Sequence, residues 1–186
     1  MSDYNFTRRS GIQTGLAAGA ALTMPSILSA GSRTGFSNAP TGSRVPIGFN
    51  VPLSGAFAEE GADELRAYKL AVEHLNGEGD GGMLQTFSSK ALDGRGILGK
   101  KVEYVVGDTQ TKPEAARASA RSMIEKDGAI MITGGSSSGV AVSLQALCQE
   151  TGIIFMAGLT HSNDITGKDK KANGFRHFFN SYMIGA

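Results

Sequence analysis

The chain has 186 residues, 40% of them hydrophobic, which is enough for one buried core. Its 18 basic and 17 acidic residues give a formal net charge of +1, so charge gives no reason to expect nucleic acid or an anionic membrane surface as a partner. The single cysteine, Cys148, excludes an intrachain disulfide, and its apolar neighbours predict that it lies in the core.

Residues 1–30 have the features of a cleavable export signal. Arg8 and Arg9 precede a mild apolar run, Gly11–Leu28, that is too short and too weakly apolar to span a bilayer. Thr7-Arg8-Arg9-Ser10 is similar to a twin-arginine motif; an ordinary Sec signal or an uncleaved amphipathic start is the alternative. We therefore expect an exported, periplasmic protein. Residues 31–44, rich in Gly, Ser, Thr, Asn and Pro, are expected to form a flexible linker.

From Val45 onwards, short apolar runs alternate with longer amphipathic segments, a pattern that predicts βαβ units and an α/β fold. The first helix has a wide apolar stripe that includes Leu65 and Tyr68, and Gly77 can cap it. We therefore expect an open parallel sheet with helices on both faces. In chain order, the predicted elements are strand Val45–Val51, helix Ala58–Asn76, strand Lys101–Val106, helix Pro113–Asp127, strand Ala129–Thr133, helix Val140–Glu150, strand Ile153–Ala157 and strand Phe175–Phe179.

Two segments interrupt this alternation. Glu78–Gly99 contains many glycines, has no clear period and is longer than an ordinary connection, so we predict an extended surface loop. Gly158–Asn173 is polar and is predicted to be a loop with one short turn.

The candidate site lies in the loops that follow the predicted strands, because open parallel sheets bind ligands at the carboxyl ends of their strands. The glycines of Gly134–Gly139 let the backbone approach a ligand, while serine hydroxyls and helix-start amides could hold a carboxylate or a phosphate. The alternative is a plain turn in which Ser137 or Ser138 caps a helix. All four loops are small, polar and glycine-bearing or next to glycine: Pro52–Gly55, Asp108–Gln110, Gly134–Gly139 and Gly158–Ser162.

Motifs for nucleotide, metal or hydrolytic chemistry are not found in the sequence. The Gly134–Gly139 loop lacks the lysine of a P-loop and the spacing of a dinucleotide fingerprint, and no Gly-x-Ser-x-Gly elbow occurs. His74, His161 and His177 lack metal-ligand spacing, and His161 is expected to be an exposed loop residue. Asp108 is expected to bond local backbone amides. We therefore predict no enzyme, no metal and no cofactor.

An ordered set of motifs resembles one family. Ile47–Gly55 and the helix after it are similar to the start of type I periplasmic binding proteins, and most similar to the branched-chain amino acid binding branch of ABC transporter receptors. Gly96–Glu103, Asp108-Thr109-Gln110, the helix start at Pro113, and the loops at Gly134 and Gly158 follow in that branch's order. The resemblance covers the chain from about Val45 to its end.

This resemblance implies a monomeric two-lobed receptor that binds an amino acid, urea or a short amide and delivers it to an ABC permease. An extracellular ligand-sensing module of a signalling system, and an α/β enzyme with catalytic residues beyond this chain, remain alternatives. The resemblance places the ligand carboxylate at Ser136, Ser137 or Ser138 without settling which serine makes the contact. It places the ammonium near Gly158, Leu159 and Thr160, and Ser54 and Gly55 at the rim of the cleft.

The resemblance also sets the expected domain limits. Residues 45–180 correspond to the N-terminal lobe, and residues 181–186 to the start of the hinge, so we expect a truncated chain. Residues 81–95 correspond to an insertion. The second lobe is expected to supply the acid that pairs with the ligand ammonium.

Overall fold

The computed structural model describes residues 40, 42–78 and 95–185. Contacts divide the chain into Met1–Gly31 and Ser32–Ala186, and every described residue lies in the second unit. The predicted export signal, most of the predicted linker and nearly all of the predicted insertion therefore lie outside the described residues.

Among the described residues, five parallel strands form one sheet in the order β2-β1-β3-β4-β5. The chain order reverses between β1 and β3, which is where open sheets of this kind form a ligand-binding crevice at the carboxyl ends of their strands. The predicted open parallel sheet is confirmed. The strands are β1 (Arg44–Val51), β2 (Lys101–Asp108), β3 (Met131–Gly134), β4 (Ile154–Ala157) and β5 (Gly174–Arg176).

In the described ranges, four α-helices alternate with the strands or follow the last of them. Pro113 occupies the first turn of α2, where its missing N–H costs nothing, and Gly152 ends α3 in the left-handed conformation with φ 73°. No helix in the described ranges is both long and apolar enough to cross a membrane. The helices are α1 (Ala58–Leu75), α2 (Pro113–Glu125), α3 (Ser138–Thr151) and α4 (Ser181–Gly185).

Both faces of the sheet bury apolar side chains. On one face, α2 and α3 cover Ile132 and Phe155, and Cys148 is fully buried in this cluster, as predicted. On the other face, α1 packs on β1 and β2. There the Phe49 ring lies 4.9 Å from that of Tyr68 and 5.1 Å from that of Tyr104, measured between centroids. The predicted helices on both faces are therefore confirmed.

The last strand is shorter than predicted. It ends at Arg176 instead of Phe179, because the side chains of Phe178 and Phe179 stack against His161 outside the sheet. Within the polar segment 158–173, the predicted short turn is the 3-10 helix Asn163–Ile165, capped by the Ser162 hydroxyl.

Candidate functional site

The carboxyl ends of β1, β3 and β4 lie side by side and bring their loops together. Asn50 pairs with Gly134, which in turn pairs with Ala157 across the sheet. Gly134 and Gly135 have φ values of 122° and 81°, which favour glycine, and a Cβ on Gly134 would lie 2.3 Å from the Asn50 carbonyl oxygen. The close approach of β1 therefore requires glycine at position 134, and the left-handed backbone conformation favours glycine at position 135.

The three candidate serines differ in what they bond. The Ser136 hydroxyl donates to Glu64 Oε2 at 3.3 Å, and the Ser138 hydroxyl accepts from the Ser162 amide at 3.2 Å. Ser137 precedes α3, but its side chain makes no capping hydrogen bond, and in the described part of the chain its hydroxyl has no partner. The Ser137 hydroxyl can therefore both donate to and accept from a ligand. The Ser138 hydroxyl accepts one bond and can still donate its proton, whereas the Ser136 hydroxyl already donates its proton to Glu64.

The loop after β4 places the polar side chain of Thr160 in the interior. Thr160 is fully buried, and within the described ranges its Oγ1 makes no hydrogen bond. Gly158 is also buried, and its backbone amide donates a hydrogen bond to the Gly134 carbonyl oxygen at 3.2 Å. An unbonded buried hydroxyl costs free energy unless a ligand or water completes it, which makes Thr160 a candidate ligand contact.

Glu64 on α1 contacts both of these loops, and it was not among the residues predicted from the sequence. Its side chain is only 5% exposed although it lies on α1. It accepts the Tyr68 hydroxyl at 2.5 Å, the Ser136 hydroxyl and the Leu159 amide. The Tyr68 hydroxyl in turn accepts the Thr133 hydroxyl at 3.2 Å. Glu64 therefore fixes one residue of each predicted ligand loop.

Burial dominates the electrostatics of this acid. Desolvation raises the pKa of Glu64, although the three hydrogen bonds and the nearby His177 act to lower it. Burial and the Glu64 charge likewise raise the pKa of the Tyr68 hydroxyl, so it stays protonated and donates. One signal in the sequence could have revealed Glu64: it lies four residues before Tyr68 and eight before Val72, on the buried stripe of α1.

The loops after β1 and β2 are tied to each other. Asp108 accepts the Ser54 hydroxyl at 2.6 Å and the amides of Leu53, Ser54 and Gln110 at 2.8–3.3 Å, as expected for this strand-end aspartate. Ser54 and Gly55 are exposed, and among the described residues no hydrogen bond joins them to the loops after β3 and β4. Their predicted place at the rim therefore stays a prediction.

An aromatic cluster borders the site beyond β4. The His161 ring lies 4.9 Å from the ring of Phe179 at an interplanar angle of 8°, and 5.1 Å from that of Phe178. His161 is half-buried and its Nε2 has no partner within the described ranges, so the expectation of an exposed loop histidine is wrong. The cause is the stacking of Phe178 and Phe179 against it. Among residues 40, 42–78 and 95–185, no group of His, Cys, Asp and Glu could hold a metal ion.

Comparisons with known proteins agree on one family. The sequence profile of a family described as periplasmic binding protein matches residues 44–186. A Leu/Ile/Val-binding protein from Rhizobium johnstonii is 26% identical over 122 residues, which cover 66% of this chain and 29% of that protein.

Solved structures have the same fold. The isoleucine complex of the branched-chain amino acid receptor LivJ from Streptococcus pneumoniae has a TM-score of 0.60 at 21% identity, covering 74% of this chain and 34% of that one. A solute-binding protein of an ABC transporter from Rhodopseudomonas palustris, in complex with 3,4-dihydroxybenzoic acid, has a TM-score of 0.60 at 19% identity, with coverage of 75% and 33%. The chain thus spans about a third of the length of these proteins.

Proposed function

Because the chain belongs to the periplasmic binding protein family, we propose that it is the N-terminal lobe of an exported receptor that binds a small polar solute and delivers it to an ABC permease. The solute class that fits the site is an amino acid, urea or a short amide. The receptor acts by binding and release in the periplasm, as a monomer, and converts nothing chemically.

The proposed anion subsite is formed by Ser137, Ser138 and the amides at the start of α3. The first turn of a 14-residue helix presents unpaired N–H groups and the positive end of the helix dipole. The hydroxyls of Ser137, which precedes α3, and of Ser138, its first residue, can also donate hydrogen bonds at this end of the helix. This combination of donors suits a ligand carboxylate or an amide oxygen.

The proposed subsite for the amino group is the loop after β4. The Gly158 carbonyl and the Thr160 hydroxyl can both accept hydrogen bonds from an ammonium or amide N–H. The observation that carries the proposal is the fully buried Thr160 Oγ1, which lacks a partner in the described part of the chain although it adjoins the ligand crevice of the sheet.

The proposal is tested by the thermal midpoint of the full chain in millimolar amino acids, urea and short amides, since a solute that binds the native state must raise the midpoint. We expect one class to raise it, and expect Ser137→Ala and Thr160→Val to abolish the shift. The matched controls Ser122→Ala on α2 and Thr151→Val at the end of α3 should retain it. A panel without any shift, or equal shifts in the site and control variants, would contradict the proposal.

A further inference from the structure

The Glu64 carboxylate is a buried acid that accepts hydrogen bonds but, in the described part of the chain, has no lysine or arginine as an ion-pair partner. Three neutral groups donate to it: the Tyr68 hydroxyl, the Ser136 hydroxyl and the Leu159 amide. Among the described residues, no Lys or Arg forms an ion pair with it. In the same part of the chain, the one basic group that acts on its charge is His177, in the segment after β5. A buried charge without a counter-charge is costly, so its presence calls for an explanation.

The position of this carboxylate is held by the surrounding backbone. A Cβ on Gly158 would lie 1.9 Å from Glu64 Oε1 and 2.6 Å from the Tyr68 hydroxyl, so the acid lies directly against the backbone of the loop after β4. Its other oxygen, Oε2, accepts the hydroxyl of Ser136 in the loop after β3. The acid therefore lies under the point where the two loops of the crevice meet, and the described part of the chain places no lysine or arginine side chain against it.

From this geometry we propose that Glu64 is a counter-charge within this lobe and makes the crevice select solutes that carry a cationic amino group. The proposal rests on the proposed function and concerns the same site. It adds an acid on the chain itself to the one that the family resemblance assigns to the second lobe. An ionised acid against the loop of Gly158 attracts an ammonium at that loop and repels a solute whose only charge is a carboxylate.

A purely structural role for Glu64 predicts a different result. If the carboxylate only positioned Ser136 and the Leu159 amide, its loss would weaken all solutes that use these loops by similar factors. If it acts as a counter-charge, its loss weakens solutes with an ammonium and spares those without one. The two roles are separated by a pair of solutes that differ only in the amino group.

The test compares L-leucine with 4-methylpentanoate, its deaminated analogue, by NMR chemical-shift titration of the full chain. For the chain with its natural sequence we expect tighter binding of leucine. Glu64→Gln keeps the size of the side chain and removes the charge, and should lower the affinity for leucine at least tenfold more than that for 4-methylpentanoate. Glu60→Gln removes an exposed charge one turn earlier on α1 and should leave both affinities unchanged. Equal losses for the two solutes in Glu64→Gln would overturn the counter-charge role.

A second measurement uses the unaltered chain and so does not depend on how the variant folds. The 13C signal of the Glu64 carboxylate is followed through a pH titration with each solute; Tyr68 and His177 are the other titratable groups that face it. Since coupling between two binding equilibria is reciprocal, leucine should lower the pKa of Glu64, and 4-methylpentanoate should raise it. An unchanged pKa with both solutes bound overturns the counter-charge alone. Failure of both solutes and of the wider panel to bind overturns the proposed function as well.

Discussion

Substitution of Gly158 by alanine tests whether Glu64 and the loop after β4 are packed as one unit. The added Cβ would lie 1.9 Å from Glu64 Oε1 and 3.1 Å from its Cδ. The carboxylate would have to retreat by roughly 1.5 Å to restore ordinary contact. A surface side chain could make that movement freely. Glu64 is 5% exposed and held by three donors, so its retreat breaks hydrogen bonds.

The expected cost of Gly158→Ala follows from two effects. Overpacking in a tight interior costs about 1–3 kcal/mol, and a lost hydrogen bond to a charged group about 1.5–3 kcal/mol. Part of the carboxylate's desolvation is relieved when it moves outward, so we expect a net loss of about 2–4 kcal/mol in the free energy of unfolding. Urea titration of the full chain measures this loss.

A double-mutant cycle identifies the cause of that loss. Removing the carboxylate with Glu64→Ala vacates the space that the new methyl group needs, so Gly158→Ala should cost much less in that background. We expect a coupling energy of about 1–2 kcal/mol between the two positions. The matched control is Gly139→Ala, since an added Cβ there has only the Ser137 hydroxyl within 4 Å, at 3.9 Å. Additive costs for Gly158→Ala and Glu64→Ala would refute the packing argument.

Three further predictions concern the titratable groups. Burial alone would raise the pKa of Asp108, but hydrogen bonds from Ser54 and three amides lower it. The ionised Asp108 therefore stabilises the folded chain above pH 3.8, and this contribution is lost on acidification. By urea titration, Asp108→Asn should lower the free energy of unfolding by about 1–2 kcal/mol at pH 7 and by less near pH 3. A cost independent of pH would contradict this. Because the pKa of Glu64 is raised, the stability of the natural chain relative to Glu64→Gln should fall as pH rises above 4.5, and a rise would refute the assigned desolvation. Burial raises the pKa of Cys148 to about 12, so the native thiol should resist a thiol reagent that labels the urea-unfolded chain at once; equal labelling rates would show that the core around α3 is open.

Most of the fold was predictable because it is encoded in local patterns. The apolar stripe and Gly77 define α1 to within one residue, and Pro113 marks the start of α2. The end of β5 was not predictable, because Phe175, Phe178 and Phe179 give residues 175–179 the aromatic content that is typical of a strand. In the folded chain, the rings of Phe178 and Phe179 pack against His161 outside the sheet. His161 lies 17 and 18 positions earlier in the sequence, so no local pattern indicates this contact.

The candidate loops were predictable from the sequence, but the hydrogen-bond partners of the individual residues within them were not. Ser136, Ser137 and Ser138 are equivalent in sequence, and they differ only in tertiary partners: Ser136 bonds Glu64, and Ser138 bonds the Ser162 amide. A local pattern states which residue types are available and cannot state which hydroxyls the fold has already used. Glu64 escaped prediction for a different reason: its spacing places it on the buried stripe of α1, but an acid on an amphipathic helix is usually solvated.

Gly158 and Glu64 are best understood as a matched pair. Glycine at position 158 is required because the carboxylate fills the space that a Cβ would take, and the carboxylate tolerates burial because the loop of Gly158 gives it the Leu159 amide. The identity of each residue is therefore explained by its contact with the other. An apolar side chain at position 64 would fill the space at lower electrostatic cost but would leave the Leu159 amide and the Tyr68 and Ser136 hydroxyls without their acceptor. The loops of the crevice therefore depend on the Glu64 carboxylate, which is also the group that our counter-charge proposal assigns to an ammonium at these loops.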